Sequence, residues 1–232
     1  MTADVRVALL SGGGTDAVRS ARAAGADVVC LPQLSFLPYL PATLDRGGLE
    51  RAERPPARSY REALEAADGA WLAASAYECE GEGVFYASAL LGRKGGEPPL
   101  RHRQRRLDSS PGRYEQLLLS PGHEPAGVIE LPWGPTGILI GADVCEHDRW
   151  KELAAAGARV VLAGVSAPAE LWEQTRMAVA GLAARHGIAA LVANREGQEH
   201  GIRFAGGGAG WDAGGSPLEA GPGGLIEMGG AG

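Results

Sequence analysis

Thr136-Gly137-Ile138-Leu139-Ile140-Gly141-Ala142-Asp143-Val144-Cys145-Glu146-His147-Asp148 is the stretch around which the rest of the chain is read. The apolar run Ile138 to Ile140 ends abruptly at Gly141. A polar segment follows, then a helical pattern through Trp150, Leu153 and Ala154 that stops at Gly157. A short apolar run, a glycine and a helix predict a buried strand turning sharply into a helix. In α/β hydrolytic enzymes such elbows expose a nucleophile at the end of a sheet. Gly141 has none to offer.

Upstream, Arg6 to Leu10 reads as a strand and Ser11-Gly12-Gly13-Gly14 as the turn after it. Thr15 or Asp16 can cap a helix through Val18, Ala21 and Ala24 that ends at Gly25. Ala26 to Leu31 is a second buried strand, closed by Pro32. Strand, helix and strand in this order predict a parallel βαβ pairing. The glycine turn lacks the spacing of either nucleotide fingerprint, and no Lys-Ser/Thr follows it, so no nucleotide cofactor is expected.

Residues 34 to 57 form a long connection over the sheet rim. Tyr60 to Ala67 is a helix, and Trp71 to Ala76, Gly83 to Leu91 and Leu100 to Leu107 read as successive strands. The third contains a basic run, Arg101-His102-Arg103-Gln104-Arg105-Arg106, read as a solvated strand edge. After the elbow come a strand at Arg159 to Ala163, a helix at Glu170 to Arg185 and a strand at Ile188 to Ala193.

Composition sets outer limits. The 232 residues suit a single domain, here 1–232, with a sizeable core. A net charge of −6 speaks against a nucleic-acid partner. No signal peptide is expected, since Met1 to Val5 lack a basic start, and no apolar run approaches the roughly 20 residues of a membrane span. Cys30, Cys79 and Cys145 are odd in number and widely spaced, which points to a reducing, cytoplasmic setting without disulfides. Glycine, at 36 residues, is roughly twice average usage. Much of the excess follows Gly197, giving a glycine-rich C-terminal end from about Gly214.

Gly137 to Ala158 resembles the core motif of the nitrilase superfamily, the carbon–nitrogen hydrolases. There a strand ends in Cys-Tyr-Asp or Cys-Trp-Asp, and a helix follows that closes with Gly-Ala. Asp143 matches the family's Asp and Gly157-Ala158 its Gly-Ala, without a gap. The nucleophilic cysteine then falls on Gly141 and its aromatic neighbour on Ala142. Gly25 to Gln33 is similar to a second family signature, in which a Glu serves as general base; that position is Gln33. His102 to Leu107 resembles the segment that carries the family's catalytic Lys, which falls on Gln104. Arg103 and Arg105 flank that position, and neighbours on a strand face opposite ways. Glu115, shortly before Pro121-Gly122, matches a second family Glu that supports the catalytic residues, or is an exposed loop residue. Asn194-Arg195-Glu196-Gly197 and Phe204 to Gly208 resemble later family segments, Gly208 standing where the family has Ser. The family's usual C-terminal extension, often used in dimer contacts, is expected to be largely absent.

The resemblance implies an αββα sandwich, two sheets face to face with helices outside each. It also implies that base, Lys and nucleophile are replaced by Gln33, Gln104 and Gly141. An amide has no titratable proton near neutral pH. Two function classes follow. One is a non-catalytic pseudoenzyme that binds a small neutral polar, amide-like ligand or a partner protein, with Gln33, Gln104, Glu115, Gly141, Ala142 and Cys145 around the ligand. The other is an active amidase-like hydrolase rebuilt on Cys145 or Glu115. Cys145 near His147 is a candidate nucleophile–base pair, or a small apolar filler between helix and sheet. Asp143, Cys145 and His147 alternate as zinc ligands can, but no second ligand cluster accompanies them, so no metal is expected. The resemblance further implies a homodimer through helices flanking the elbow, with Trp150 and Trp172 as candidate contacts. A weaker reading is a structural subunit that pairs with an active homologue.

Overall fold

A computed structural model describes residues 4–54, 56–81 and 83–229 of the chain; the first three residues of the stretch read as lacking a signal peptide lie outside them. In chain order the elements are β1 (Val5–Leu9), α1 (Thr15–Ala23), β2 (Val28–Cys30), α2 (Arg58–Ala67), β3 (Trp71–Gly81), β4 (Val84–Gly92) and β5 (Leu100–Arg103). Next come α3 (Glu115–Leu118), β6 (Val128–Leu131), β7 (Gly134–Ile140), α4 (His147–Ala155), β8 (Val160–Val165) and α5 (Trp172–His186). The last are β9 (Ala189–Asn194), β10 (Glu196–Glu199), β11 (Ile202–Ala205), β12 (Ala209–Trp211), β13 (Pro217–Leu218) and β14 (Leu225–Met228).

The strands build two six-stranded sheets, β14-β1-β2-β3-β4-β5 and β13-β12-β9-β8-β7-β6, plus the β10–β11 hairpin. The centre of each sheet is parallel: β1 with β2 and β2 with β3, then β7 with β8 and β8 with β9. Strands buried on both faces read as unbroken apolar runs, and the elbow strand shows why. Ile138 and Ile140 face the inter-sheet core with Val7, Val28, Leu162 and Leu191. Leu139, between them, faces the other way and packs with Trp150, Leu153, Val179 and Ala183 of α4 and α5. On the far side α1 and α2 cover the first sheet through Val18, Ala21, Tyr60 and Ala63. The three apolar layers make the αββα sandwich expected. Among the described residues no helix is long and apolar enough to cross a membrane.

Several local expectations change. The helix after the glycine turn starts at Thr15 with Gly14 in the capping position and no side-chain cap, so neither Thr15 nor Asp16 performs that role. The strand predicted over 100–107 stops at Arg103, because the N–H groups of Arg105 and Arg106 donate to the Asp143 carboxylate (2.9 and 2.7 Å) instead of to a ladder. The basic run is therefore not a solvated edge. His102, Arg103 and Gln104 are buried, and Arg103 is held by the buried carboxylate of Glu78 and stacks 4.0 Å over the Tyr86 ring. Trp150 is buried, its indole N–H donating to the Val144 carbonyl, so it cannot serve as a dimer contact. Leu225–Met228 runs antiparallel to β1 and forms that sheet's edge.

Candidate functional site

The elbow is as sharp as the sequence implies. Ile140 is still extended, and Gly141 turns to φ +57, a left-handed value at which glycine carries no Cβ penalty. A 3-10 turn, Gly141–Cys145, leads into α4. Inside it Asp143 is fully buried and acts as a clamp. Besides the two backbone N–H groups after β5, it contacts His102 Nε2 at 2.8 Å. The clamp fixes the segment that carries Gln104 directly against the elbow.

Gln33 comes from the end of β2, across the sandwich. Gly164 of β8 permits the approach: a Cβ there would lie 2.6 Å from the Leu31 carbonyl oxygen and 2.9 Å from the Gln33 nitrogen. Arg195 holds the following turn from below, donating through Nη2 to the carbonyls of Gln33, Leu34 and Leu37 (3.0, 2.8 and 3.2 Å). Leu34 adopts φ +53, and its N–H donates to Ser75 Oγ at 2.7 Å. Pro121-Gly122 also has a local reason. The Gly122 N–H donates to the Gln104 carbonyl at 2.8 Å, and a Cβ on it would strike Arg103 at 2.6 Å.

These constraints bring Gln33, Gln104, Glu115 and Gly141 together. Glu115, the first residue of α3, is buried and not an exposed loop residue. Its carboxylate accepts from Gln33 Nε2 (2.9 Å), Gln104 Nε2 (2.7 Å), the Tyr39 hydroxyl (2.8 Å) and the Asp108 N–H (2.8 Å). Gln33 Nε2 also donates to Gln104 Oε1 at 2.9 Å, and Gln104 Nε2 to the Arg106 carbonyl at 2.7 Å. Four donors around one carboxyl suit its ionised form. Burial raises the Glu115 carboxyl above its ordinary range, while the hydrogen bonds from Asp108, Tyr39, Gln104 and Gln33 pull it back down. Burial, and then the neighbouring Glu115 charge, hold the Tyr39 hydroxyl well above its ordinary value.

Above this network lies a cleft of about 970 Å³ at the carboxyl ends of β2, β7 and β8. Gln33, Glu115, Gly141, Ala142 and Cys145 line it. Gln104, expected among the lining residues, does not: its side chain is sealed beneath the floor by its own hydrogen bonds. Cleft charge is balanced, since Arg106 pairs with Glu146 (2.6 Å), Arg113 with Asp108 (2.8 Å) and Arg105 with Glu152 (2.9 Å).

Cys145 is exposed at the cleft, so it is not an apolar filler. Protein atoms around the sulfur, then the Glu146 charge, raise its thiol, with Arg106 opposing; a raised thiol is the opposite of an activated one. His147, its expected base, is taken by His186, the ring nitrogens lying 3.0 Å apart. The described residues contain no group of three or more His, Cys, Asp or Glu placed to hold a metal. The sequence reading missed Tyr39, Asp108 and Arg195, which hold the network from loops and from the far sheet. Asn194-Arg195-Glu196-Gly197 was the one signal that pointed to Arg195.

An αββα sandwich with a cleft at the carboxyl ends of its parallel strands puts the cavity where α/β sheets usually hold their ligands. The chain belongs to the carbon–nitrogen hydrolase family, whose profile matches residues 14–222. Among solved structures, a carbon–nitrogen hydrolase from Helicobacter pylori G27 superposes with a TM-score of 0.83 at 16% identity, over 97% of this chain and 89% of that one. An amidase from Nesterenkonia sp. AN1, as a double mutant in complex with acrylamide, superposes with a TM-score of 0.82 at 22% identity, over 97% and 91% of the two chains. No curated protein matches the sequence.

Proposed function

We propose that this protein is a non-catalytic member of its family that binds a small, neutral, amide-like molecule in the cleft at Gly141. One observation carries the reading: both floor amides are committed to the Glu115 carboxylate, and the elbow beside them holds a glycine. Acyl transfer on a thiol needs a sulfur nucleophile, a base to ionise it and a positive group at the developing oxyanion. Gly141 supplies no sulfur, Gln33 no base and Gln104 no charge. Losing one member of such a unit costs orders of magnitude, and such losses are not additive. The balanced ion pairs around the cleft favour an uncharged ligand. The Nesterenkonia amidase bound to acrylamide carries a Glu to Gln and a Cys to Ala change, a pair of losses like those proposed here.

The test is hydrolysis of a panel of amides, nitriles and carbamoyl compounds, run beside Cys145→Ala, together with calorimetric titration of propionamide. No turnover with saturable amide binding is expected. Turnover that disappears in Cys145→Ala would overturn the reading and establish a relocated nucleophile. For assembly we propose a homodimer through the outer face of α5, where Met177 is 61% exposed; Trp172, the other expected contact, packs inward against the core beneath that helix. Light scattering at micromolar concentration checks it, and a monomer alone refutes it.

A further inference from the structure

Gln33 is 2% exposed, yet one of its polar atoms has no protein partner. Both N–H bonds are spent, one on Glu115 and one on Gln104 Oε1. Its Oε1 accepts no hydrogen bond from any described residue. Nor is that oxygen sealed, for the only sealed and unpartnered side-chain polar atoms among the described residues are Ser35 Oγ and Arg176 Nε. Gln33 lines the cleft, so the open oxygen faces it. The amide cannot present its other end, because a flip would set Oε1 against the Glu115 carboxylate. Gln104 offers nothing to the cleft, since its Oε1 and both of its N–H bonds are engaged.

From this we infer that Gln33 Oε1, oriented by Glu115, is a dedicated acceptor on the cleft floor, and that the ligand is a molecule with an N–H at that point, such as a primary or secondary carboxamide or a urea. The inference rests on the proposed ligand-binding role of the cleft and narrows it. Tertiary amides and nitriles have no proton to give. Carboxylates bring lone pairs against a lone pair in a buried site, where an unmet polar group is costly. Gly141 lets the two amides close on the elbow, for its missing Cβ position lies 2.6 Å from Gln33 Nε2.

The test titrates propionamide, N,N-dimethylpropionamide, propionitrile and propionate into the protein, and follows the Gln33 side-chain amide signal by NMR. Propionamide should bind and move that signal. The dimethylamide and the nitrile should bind about two- to tenfold more weakly, the range set by one hydrogen bond. Propionate should leave the signal unmoved where propionamide saturates. Glu115→Gln removes the group that forbids the flip, so the preference for propionamide should collapse while binding survives. Equal binding of propionamide and its dimethyl analogue, or a preference unchanged in Glu115→Gln, overturns the inference alone. Binding of no probe overturns it together with the ligand-binding reading. A folded spectrum of Glu115→Gln keeps that arm interpretable, and Gln33→Leu, which keeps side-chain bulk without the acceptor, should level the four affinities.

Discussion

Gly141→Ala should destabilise the protein well beyond the ordinary cost of an alanine in a left-handed position. The backbone at φ +57 charges an L-residue about 1–2 kcal/mol. The new methyl would also sit 2.6 Å from Gln33 Nε2, 2.7 Å from Gln104 Nε2 and 2.8 Å from Gln104 Cδ. Those are side-chain tips, which could ordinarily swing aside. Here both are tethered to Glu115, so moving them strains or breaks hydrogen bonds to a buried charge, adding about 1–3 kcal/mol in the range of core overpacking. Gly157→Ala is the control, for Gly157 has φ +83 and open space around its missing Cβ. It carries the backbone cost without the collision. Thermal unfolding of the pair should separate them by about 2–12 °C, given roughly 2–4 °C per kcal/mol for a chain of this size. Melting points that coincide would refute the idea that the floor amides are locked. The same geometry predicts that Gly141→Cys alone is both destabilised and inactive. Restoring turnover is expected to need Gln33→Glu and Gln104→Lys as well.

Three further outcomes are expected. Because burial raises the Glu115 carboxyl, the native state holds that proton more tightly than the unfolded chain does, so this group favours folding at low pH and loses that contribution as pH rises through its raised value. The stability difference between wild type and Glu115→Gln, measured in urea from about pH 4 to pH 8, should therefore shrink as pH rises; a difference that grows would contradict the burial argument. Iodoacetamide should label Cys145 slowly at neutral pH and faster in alkali, while Cys30, whose thiol burial pushes up to about 12, stays unlabelled; mass spectrometry reads both. Asp143→Asn should lower stability by about 2–4 kcal/mol in denaturant, since one amide oxygen cannot serve both backbone N–H groups and His102 as the carboxylate does.

The fold was legible because its signals are local and repeated. Continuous apolar runs such as Ile138 to Ile140 announce strands covered on both sides, and the glycine after them announces the elbow. Gln33, Gln104, Glu115 and Gly141 were legible as positions through the family resemblance, and the structure brings all four together. What they do to one another was not legible. That Gln104 is sealed rather than lining the cleft depends on hydrogen bonds between residues 71 and 11 positions apart. The end of β5 was misplaced because a carboxylate 37 and 38 positions away takes its next N–H groups. The two readings of Cys145 stayed open because a strand-to-helix pattern does not say which side of a 3-10 turn meets solvent.

Gly164 bears on how closely the two sheets join. A backbone nested 2.6 Å from where a side chain would begin means that any residue larger than glycine there would wedge the two sheets apart. The sandwich is keyed there like a dovetail, with Gln33 on one piece and Gly141 on the other. The cleft opens away from that joint, at the rim framed by Arg105 to Arg113 and the start of α5.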